Sequence, residues 1–246
     1  GQPTGAQERH DYQSLNIEFG LGDIKRTEEH VWRIFHEYGK LAGVSSENMD
    51  AMFKGDGFSR LVLAGGGVPR DCLSLFLSAL SGSHIPIGKD AIRDLARVNL
   101  ERRIQELKAD AQLDEQPILL RGIYAVRQFC LEKKVNSFVV EEKELQENTN
   151  VKNLIDKLLD YRLVHELGTA FTHKSASGTF RGYVIDVGFY AGLRKLQGKL
   201  SELDLTSGDW REQVRSSPIL RAGDAIKLWK EAPEHADVRI LGESDE

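Results

Sequence analysis

The chain has 246 residues, of which 40% are hydrophobic and 29% are charged, and its net charge is −5. This is the composition of an ordinary globular protein, and the length favours two domains. No apolar run approaches the roughly 20 residues that a membrane span needs, which excludes that class of protein. Two cysteines are too few for a disulfide framework or a cysteine-rich metal site. We therefore expect a soluble, cytoplasmic protein.

The first 14 residues are polar and have no periodicity, which predicts a flexible lead-in. The chain opens with Gly1 rather than with Met and an apolar signal region, and this suggests a piece of a longer intracellular protein. Leu15, Ile17 and Phe19 then alternate with polar residues, a pattern that is typical of a short strand.

Residues 15–112 are predicted to form a helical domain, because apolar residues recur in them at helical spacing. The predicted helices cover about 27–39, 49–53, 58–63, 71–80 and 90–111. The last of these is long and charged, and its apolar stripe thins towards Ile104 and Leu107, which is typical of a connecting helix. We place the domain boundary in the polar run at 110–116.

Residues 113–205 are predicted to be a winged-helix domain. The pattern predicts helices at 118–132, 140–147 and 150–161, the last capped by Asn150, followed by strands at 163–167 and 183–187 around a turn at 172–179. Three helices followed by a β-hairpin are typical of a helix-turn-helix with a wing. A further helix is expected at 189–203, and residues 206–246 are expected to be a polar C-terminal extension. The predicted fold class is therefore mainly α.

Two glycine-rich segments lack features that a phosphate-binding loop requires. The glycines at 65–67 are not followed by the Lys and the Ser or Thr that such a loop requires. The segment at 82–90 has the wrong spacing, and Asp90 stands where the hydroxyl residue is needed. Pro69 instead suits the first turn of a helix, which places Arg70 at an outward-facing position from which it could reach a neighbouring phosphate. The alternative is that Arg70 pairs with a surface acid.

The stretch from Ile17 to Leu80, with Gly-Gly-Val-Pro-Arg-Asp at 66–71, resembles the lid of AAA+ ATPases, especially the initiator and origin-recognition type and related bacterial ATPases. The resemblance covers roughly residues 15–190, since the family continues from its lid into a C-terminal winged helix. It implies that Arg70 is the sensor-2 arginine, which contacts the terminal phosphates of the nucleotide. The nucleotide-binding core does not occur in this sequence and would precede Gly1. ATP and Mg²⁺ are thus implied for the parent protein, and no cofactor for this chain alone.

The predicted winged helix suggests an interface for duplex DNA. Its third helix would enter the major groove, and its wing would contact phosphates. The residues expected at the DNA are Asn150, Lys152, Asn153 and Lys157 on the helix and His173, Lys174 and Arg181 on the wing. Residues 117–195 contain 12 basic and 9 acidic residues in a chain that is acidic overall, which favours this domain as the DNA-binding part. Asp156 and Asp160, however, lie on the same helix and would repel phosphate.

No catalytic or metal motif is visible in the sequence. The seven histidines are scattered without metal-ligand spacing, and there is no Gly-x-Ser-x-Gly turn. Whether the chain belongs to an enzyme therefore depends on the missing core.

Our leading hypothesis is the C-terminal part of an AAA+-type ATPase. Its lid would supply Arg70 to the ATPase core of the parent, its winged helix would bind duplex DNA, and the helix at 90–111 would couple the two. The first alternative is a non-enzymatic winged-helix module for protein partners or self-association. The second is a transcription regulator with a ligand pocket that the sequence does not reveal. None of the three has a membrane partner.

Overall fold

The first half of the described chain is a group of packed helices. The computed structural model describes residues 20–82, 84–191, 193 and 200–242. A short 3₁₀ turn, Leu21–Asp23, leads into α1 (Ile24–Leu41), α2 (Ser46–Ala51), α3 (Gly57–Ala64), α4 (Pro69–Ser81) and α5 (Lys89–Asp110). The predicted lead-in and the predicted strand at Leu15, Ile17 and Phe19 lie outside the described residues. Within them, no helix has both the length and the apolar character to cross a bilayer.

Local capping explains why two of these helices begin earlier than predicted. The Asp23 side chain accepts a hydrogen bond from the backbone N–H of Arg26, and this starts α1 at Ile24 rather than at Thr27. Thr27 is buried, and its hydroxyl donates to the Gly20 carbonyl. The Ser45 side chain caps α2 in the same way.

Helix α5 belongs to two hydrophobic clusters. Its N-terminal half contributes Ile92 and Ala96 to a cluster formed with α1, α3 and α4, while Leu100, Ile104 and Leu107 join a second cluster with α6 and the sheet. Ile104 is 0% exposed. The apolar stripe is narrow in this half of α5, as the sequence indicates, but its few apolar side chains are fully buried and hold this end of the helix in the core.

The second half of the chain is built on a three-stranded antiparallel sheet. Its elements are α6 (Gln116–Lys133), β1 (Ser137–Glu141), α7 (Glu142–Glu147), α8 (Thr149–Asp160), β2 (Val164–Thr172), β3 (Thr179–Ile185) and α9 (Gly188–Ala191). Strand β3 is central and pairs with both β1 and β2. The prediction of a mainly helical protein with a small β-structure is confirmed.

The sheet differs from the prediction in one strand and in its boundaries. Strand β1 was missed because residues 137–140 are buried on both faces, so no alternation of polar and apolar residues reveals the strand. Strands β2 and β3 are longer than predicted and meet around the turn at 173–178. The predicted cap Asn150 is wrong, since the side chain of Asn148 caps α8 by accepting a hydrogen bond from the Val151 N–H at 3.3 Å.

The C-terminal region is part of the core and contains α10 (Trp210–Val214), α11 (Ala222–Glu231) and α12 (Ala236–Gly242). Helix α11 packs on α6, and Leu220, Leu228 and Ile240 are buried in the second cluster. Backbone hydrogen bonds of 2.9 Å also join Val139 of β1 to residues 218 and 220. The expectation of a polar extension is therefore wrong for 220–240. The helix predicted at 189–203 ends at Ala191, and residues 192 and 194–199 lie outside the described part.

Contacts cross the predicted boundary between the two halves. Leu167, Phe171, Phe180 and Val184 of the sheet pack into the same cluster as the N-terminal helices. Gly22 shows how close the approach is, because a Cβ there would lie 2.4 Å from the carbonyl oxygen of Leu167. Residues on the two sides of the predicted boundary at 112/113 thus pack in one hydrophobic cluster. The division into two domains stays a prediction.

Both cysteines are packing residues. Cys72 and Cys130 are free and 0% exposed. Burial raises the pKa of the Cys72 thiol to about 12 and raises that of Cys130 as well, so neither forms the reactive thiolate at neutral pH.

Candidate nucleic-acid interface

The outer face of α8 is uncovered by the described chain. Val151, Ile155 and Leu158 are buried at helical spacing, and the opposite side of the helix is exposed. The exposed residues of α8 are Thr149, Asn150, Lys152, Asn153, Asp156, Lys157 and Asp160. The inner side packs closely on α6, since a Cβ at Gly122 would lie 2.4 Å from Leu154 Cδ1. All four predicted DNA-contacting residues of this helix therefore lie on one accessible face.

This face is polar but electrically neutral, because two lysines are balanced by two aspartates. Lys152 Nζ lies 2.6 Å from Asp156 Oδ2, one helical turn away. Lys157 is exposed and forms no ion pair with any described residue. Exposed ion pairs of this kind contribute little to stability, so Lys152 can exchange its partner for another anion at small cost.

The wing, defined here as the turn at 173–178, is held by the segment that follows α10. The Lys174 backbone N–H donates to the Arg215 carbonyl at 2.9 Å, and Arg215 Nε donates to the Thr172 carbonyl at 2.9 Å. His173 is half-buried, with Nε2 donating to the Ser217 carbonyl at 3.0 Å. His173 thus anchors the wing. Lys174 is exposed, with its ammonium 3.8 Å from Glu212.

Arg181 lies in β3 opposite Val140 rather than on the turn. It is half-buried, and its Nε is 3.8 Å from Glu142 Oε1. Nearby Glu166 has a raised pKa because it is partly buried, an effect that Arg181 opposes and that Asp156 and Glu142 strengthen. Arg181 therefore balances a group of carboxylates between the sheet and α8, and it is separated from Lys174 along the strand.

Arg70 is exposed in the first turn of α4, directly after Pro69, and makes no hydrogen bond or ion pair with any described residue. The preceding glycine loop serves close packing. Gly66 and Gly67 have φ values of +63° and +73°, which favour glycine. A Cβ at Gly66 would lie 2.3 Å from His165 Cε1.

A buried charge cluster lies where α4, α5, β2 and the end of β3 meet. We define it as Asp71, Arg103, Arg162, His165 and Asp186. Arg103 Nη1 is 2.6 Å from Asp186 Oδ2, and Arg103 Nη2 is 3.3 Å from Asp71 Oδ2. Arg162 Nη1 also binds Asp71 Oδ2, at 2.6 Å. His165 Nε2 lies 3.4 Å from Asp186 Oδ2.

Sequence reasoning missed this cluster, although one signal was present. Arg103 falls on the buried face of α5 between Leu100 and Leu107, where a charged residue requires a buried partner. The partners come from distant parts of the chain, so the pattern alone could not identify them.

A cavity of about 310 Å³ lies beside this cluster. Its polar lining includes His165, Asn136, Tyr190, Arg60, Glu202 and Asp56. Arg60 bridges Glu202 and Asp56, and although burial opposes its charge, these two carboxylates raise its pKa further above its ordinary value. The Asn136 amide donates to the Tyr190 hydroxyl at 3.3 Å.

No group of three or more His, Cys, Asp or Glu side chains converges as a metal site in the described part of the chain. Comparison with protein-family models, curated proteins and solved structures gives no match to this chain.

Proposed function

We propose that this chain is the C-terminal part of an AAA+-type ATPase and that it binds duplex DNA through a winged helix in which α8 is the DNA-reading helix. The observation that carries the proposal is the uncovered outer face of α8, which presents Asn and Lys side chains. Such side chains hydrogen-bond to base edges and phosphates. The order α6, β1, α7, α8, β2, β3 supports it, because helix, strand, two helices and a hairpin are typical of a winged helix.

The proposed lid consists of α1 to α5. Its support is Arg70, which is exposed at the start of α4 and has no partner among the described residues. A cation in this position suits the terminal phosphates of a nucleotide. The nucleotide, ATP with Mg²⁺, and the residues that hydrolyse it would belong to the ATPase core of the parent, which is the second proposed partner.

The neutral charge of the α8 face sets the expected strength of binding. Lys152, Lys157 and Lys174 are the exposed cations of the proposed interface, and two of them have a carboxylate nearby. Each phosphate contact changes the slope of log K against log salt concentration by about 0.9. We therefore expect weak binding with a salt slope of about −3, and specificity from the asparagines.

The test is a titration of a fluorescent DNA duplex at several salt concentrations. The variant Lys152→Ala/Lys157→Ala should bind more weakly, with a salt slope that is smaller by about 2. The matched control is Lys227→Ala/Lys230→Ala on α11. It also removes two exposed lysines, of which Lys227 forms an ion pair with the residue four positions later, as Lys152 does on α8. No binding by the wild type at low salt, or equal losses in both variants, would contradict the proposal.

Removing one carboxylate from the α8 face should strengthen DNA binding. In Asp156→Asn, Lys152 loses its ion-pair partner and the face gains a net positive charge. We expect the affinity at low salt to rise by about 3–10-fold. The substitution removes a carboxylate that repels phosphate and leaves the Lys152 ammonium available to bind one. Asp94→Asn, an exposed change on α5, serves as the control. Unchanged or weaker binding by Asp156→Asn would place the DNA elsewhere.

A second candidate function is protein binding, and one surface favours it. Leu113, Ile118 and Ile226 are 85%, 58% and 49% exposed. The last two lie near Trp229, whose Nε1 donates to the Ile118 carbonyl at 3.2 Å. Exposed apolar residues close together are typical of contact surfaces. Absence of DNA binding at low salt would favour this function, and binding of a protein partner through this surface should not weaken steeply as salt rises, in contrast to phosphate contacts.

A further inference from the structure

The end of α8 and the start of α4 are joined by charged side chains. Arg162, the second residue after α8, has a φ of +54° and is held at two points. Its guanidinium donates to Asp71 Oδ2 at 2.6 Å, and its carbonyl accepts a hydrogen bond of 2.7 Å from Arg103 Nη1. Arg103 itself donates to Asp71 and Asp186. One residue at the end of α8 is thus fixed by a side chain of α4 and a side chain of α5.

We infer that Asp71, Arg103 and Arg162 are positioning residues for α8, and that they make its orientation depend on the first turn of α4. Asp71 and Arg103 are only 4% and 3% exposed at their side chains. Charge-assisted hydrogen bonds are strong and directional in such surroundings, and a partner left unpaired there is costly. The turn after α8 therefore cannot shift without breaking contacts or moving Asp71.

Asp71 follows Arg70 directly in the chain, and this gives the positioning contacts a regulatory consequence that rests on the proposed function. Arg70 faces outward and Asp71 faces the cluster from the same helical turn. A nucleotide that displaced Arg70 would displace Asp71 with it, and thereby the end of α8. The sequence led us to expect that motion would be transmitted along the whole of α5. The contact from Asp71 to Arg162 is more direct, and α5 contributes to it only Arg103.

The alternative is that α8 is positioned by apolar packing alone, mainly where Leu154 meets Gly122 on α6. The two possibilities differ in what happens when only the charge at Arg162 is removed. The Arg162 side chain is 39% exposed, and without it Asp71 and Asp186 both retain Arg103, so the chain should remain folded.

The first measurement is hydrogen exchange of the free chain, which requires no DNA. In Arg162→Gln we expect amides in the last turn of α8 to exchange about tenfold faster. Asp71→Asn, on a different helix, should speed the same amides at least as much, because it also weakens the contact to Arg103, and adding Arg162→Gln to it should have little further effect. Arg93→Gln is the matched control, since the partner of Arg93 among the described residues is Asp90, three positions away on α5. Unchanged exchange in α8 would overturn the inference.

The second measurement is DNA affinity as a function of salt. Arg162→Gln should bind about tenfold more weakly with an unchanged salt slope, because all three interface lysines remain. Arg162→Lys should recover most of the loss, since a single contact to Asp71 needs only a cation of similar reach. A slope smaller by about 1, or a Lys variant as weak as the Gln variant, would overturn the inference. If the wild type fails to bind DNA, the proposed function fails, while hydrogen exchange still decides whether Arg162 positions α8.

Discussion

Replacement of Arg103 by Met will lower the free energy of unfolding by about 3–5 kcal/mol, which is the usual cost of removing one partner of a buried ion pair. The side chain is 3% exposed and binds Asp71 and Asp186, whose side chains are 4% and 1% exposed. Without the guanidinium, Asp186 keeps the Gly188 N–H at 2.8 Å and His165 at 3.4 Å but no full positive charge beside it, and the carbonyl of Arg162 loses its donor. Methionine replaces the aliphatic part of the arginine side chain but makes none of these contacts.

Urea unfolding followed by circular dichroism measures this change, with Arg93→Met as its control. Arg93 lies on the same helix, is 29% exposed at its side chain, and pairs with Asp90 on the surface. We expect its loss to cost less than about 1 kcal/mol, as for other exposed pairs. Equal effects of the two substitutions would mean that the charge cluster does not stabilise the fold.

Truncation of Ile104 to Ala will lower the free energy of unfolding by about 2–5 kcal/mol. Ile104 is 0% exposed and packs in the second hydrophobic cluster, where its removal leaves a cavity that rigid neighbours cannot fill. The effect separates two interpretations of α5. A solvated connecting helix would tolerate the change, whereas a core helix would not.

The control for Ile104→Ala lies on the same helix. Val98 is 62% exposed, and Val98→Ala should change stability by less than about 0.5 kcal/mol, with a slight gain from helix propensity. Both variants can be compared by thermal and urea unfolding. A loss below about 1 kcal/mol for Ile104→Ala would show that this half of α5 is not part of the core.

The helices with one clear apolar face were the part of the fold that could be predicted from the sequence. Val151, Ile155 and Leu158 identify α8, and Cys72 with Leu75 and Ala79 identifies α4. Such stripes reflect the contact between a helix and one packed layer, so they are visible without any knowledge of the partner.

The elements that were missed depend on partners distant in sequence. Strand β1 is buried on both faces and therefore has no alternating pattern. Helix α11 has only ten residues, and its buried Ala225 and Leu228 pack on α6, which lies about 100 residues earlier in the chain. Arg103 is buried only because Asp71 and Asp186 meet it from 32 and 83 residues away. The local periodicity of a sequence does not show contacts between residues that are so far apart in the chain.

The candidate site was predicted in part. Asn150, Lys152, Asn153 and Lys157 share the exposed face expected for them, because they follow from the same stripe that identified α8. The predicted positions of the wing residues depended on where the two strands end, and periodicity locates strand ends less accurately than helix faces. Arg181 consequently lies in mid-strand, and the ring of His173 is anchored to residue 217.

The position of the last helices has a consequence for how the chain acquires its structure during synthesis. The outer edge of β1 pairs with residues 218–220, and one side of α6 packs against α11 and α12. A ribosome releases these segments about 80–100 residues after α6 and β1, which lack these partners until then. The N-terminal helices can pack first, whereas the part that carries α8 becomes fully stable only after residues 218–220 and α11 have emerged.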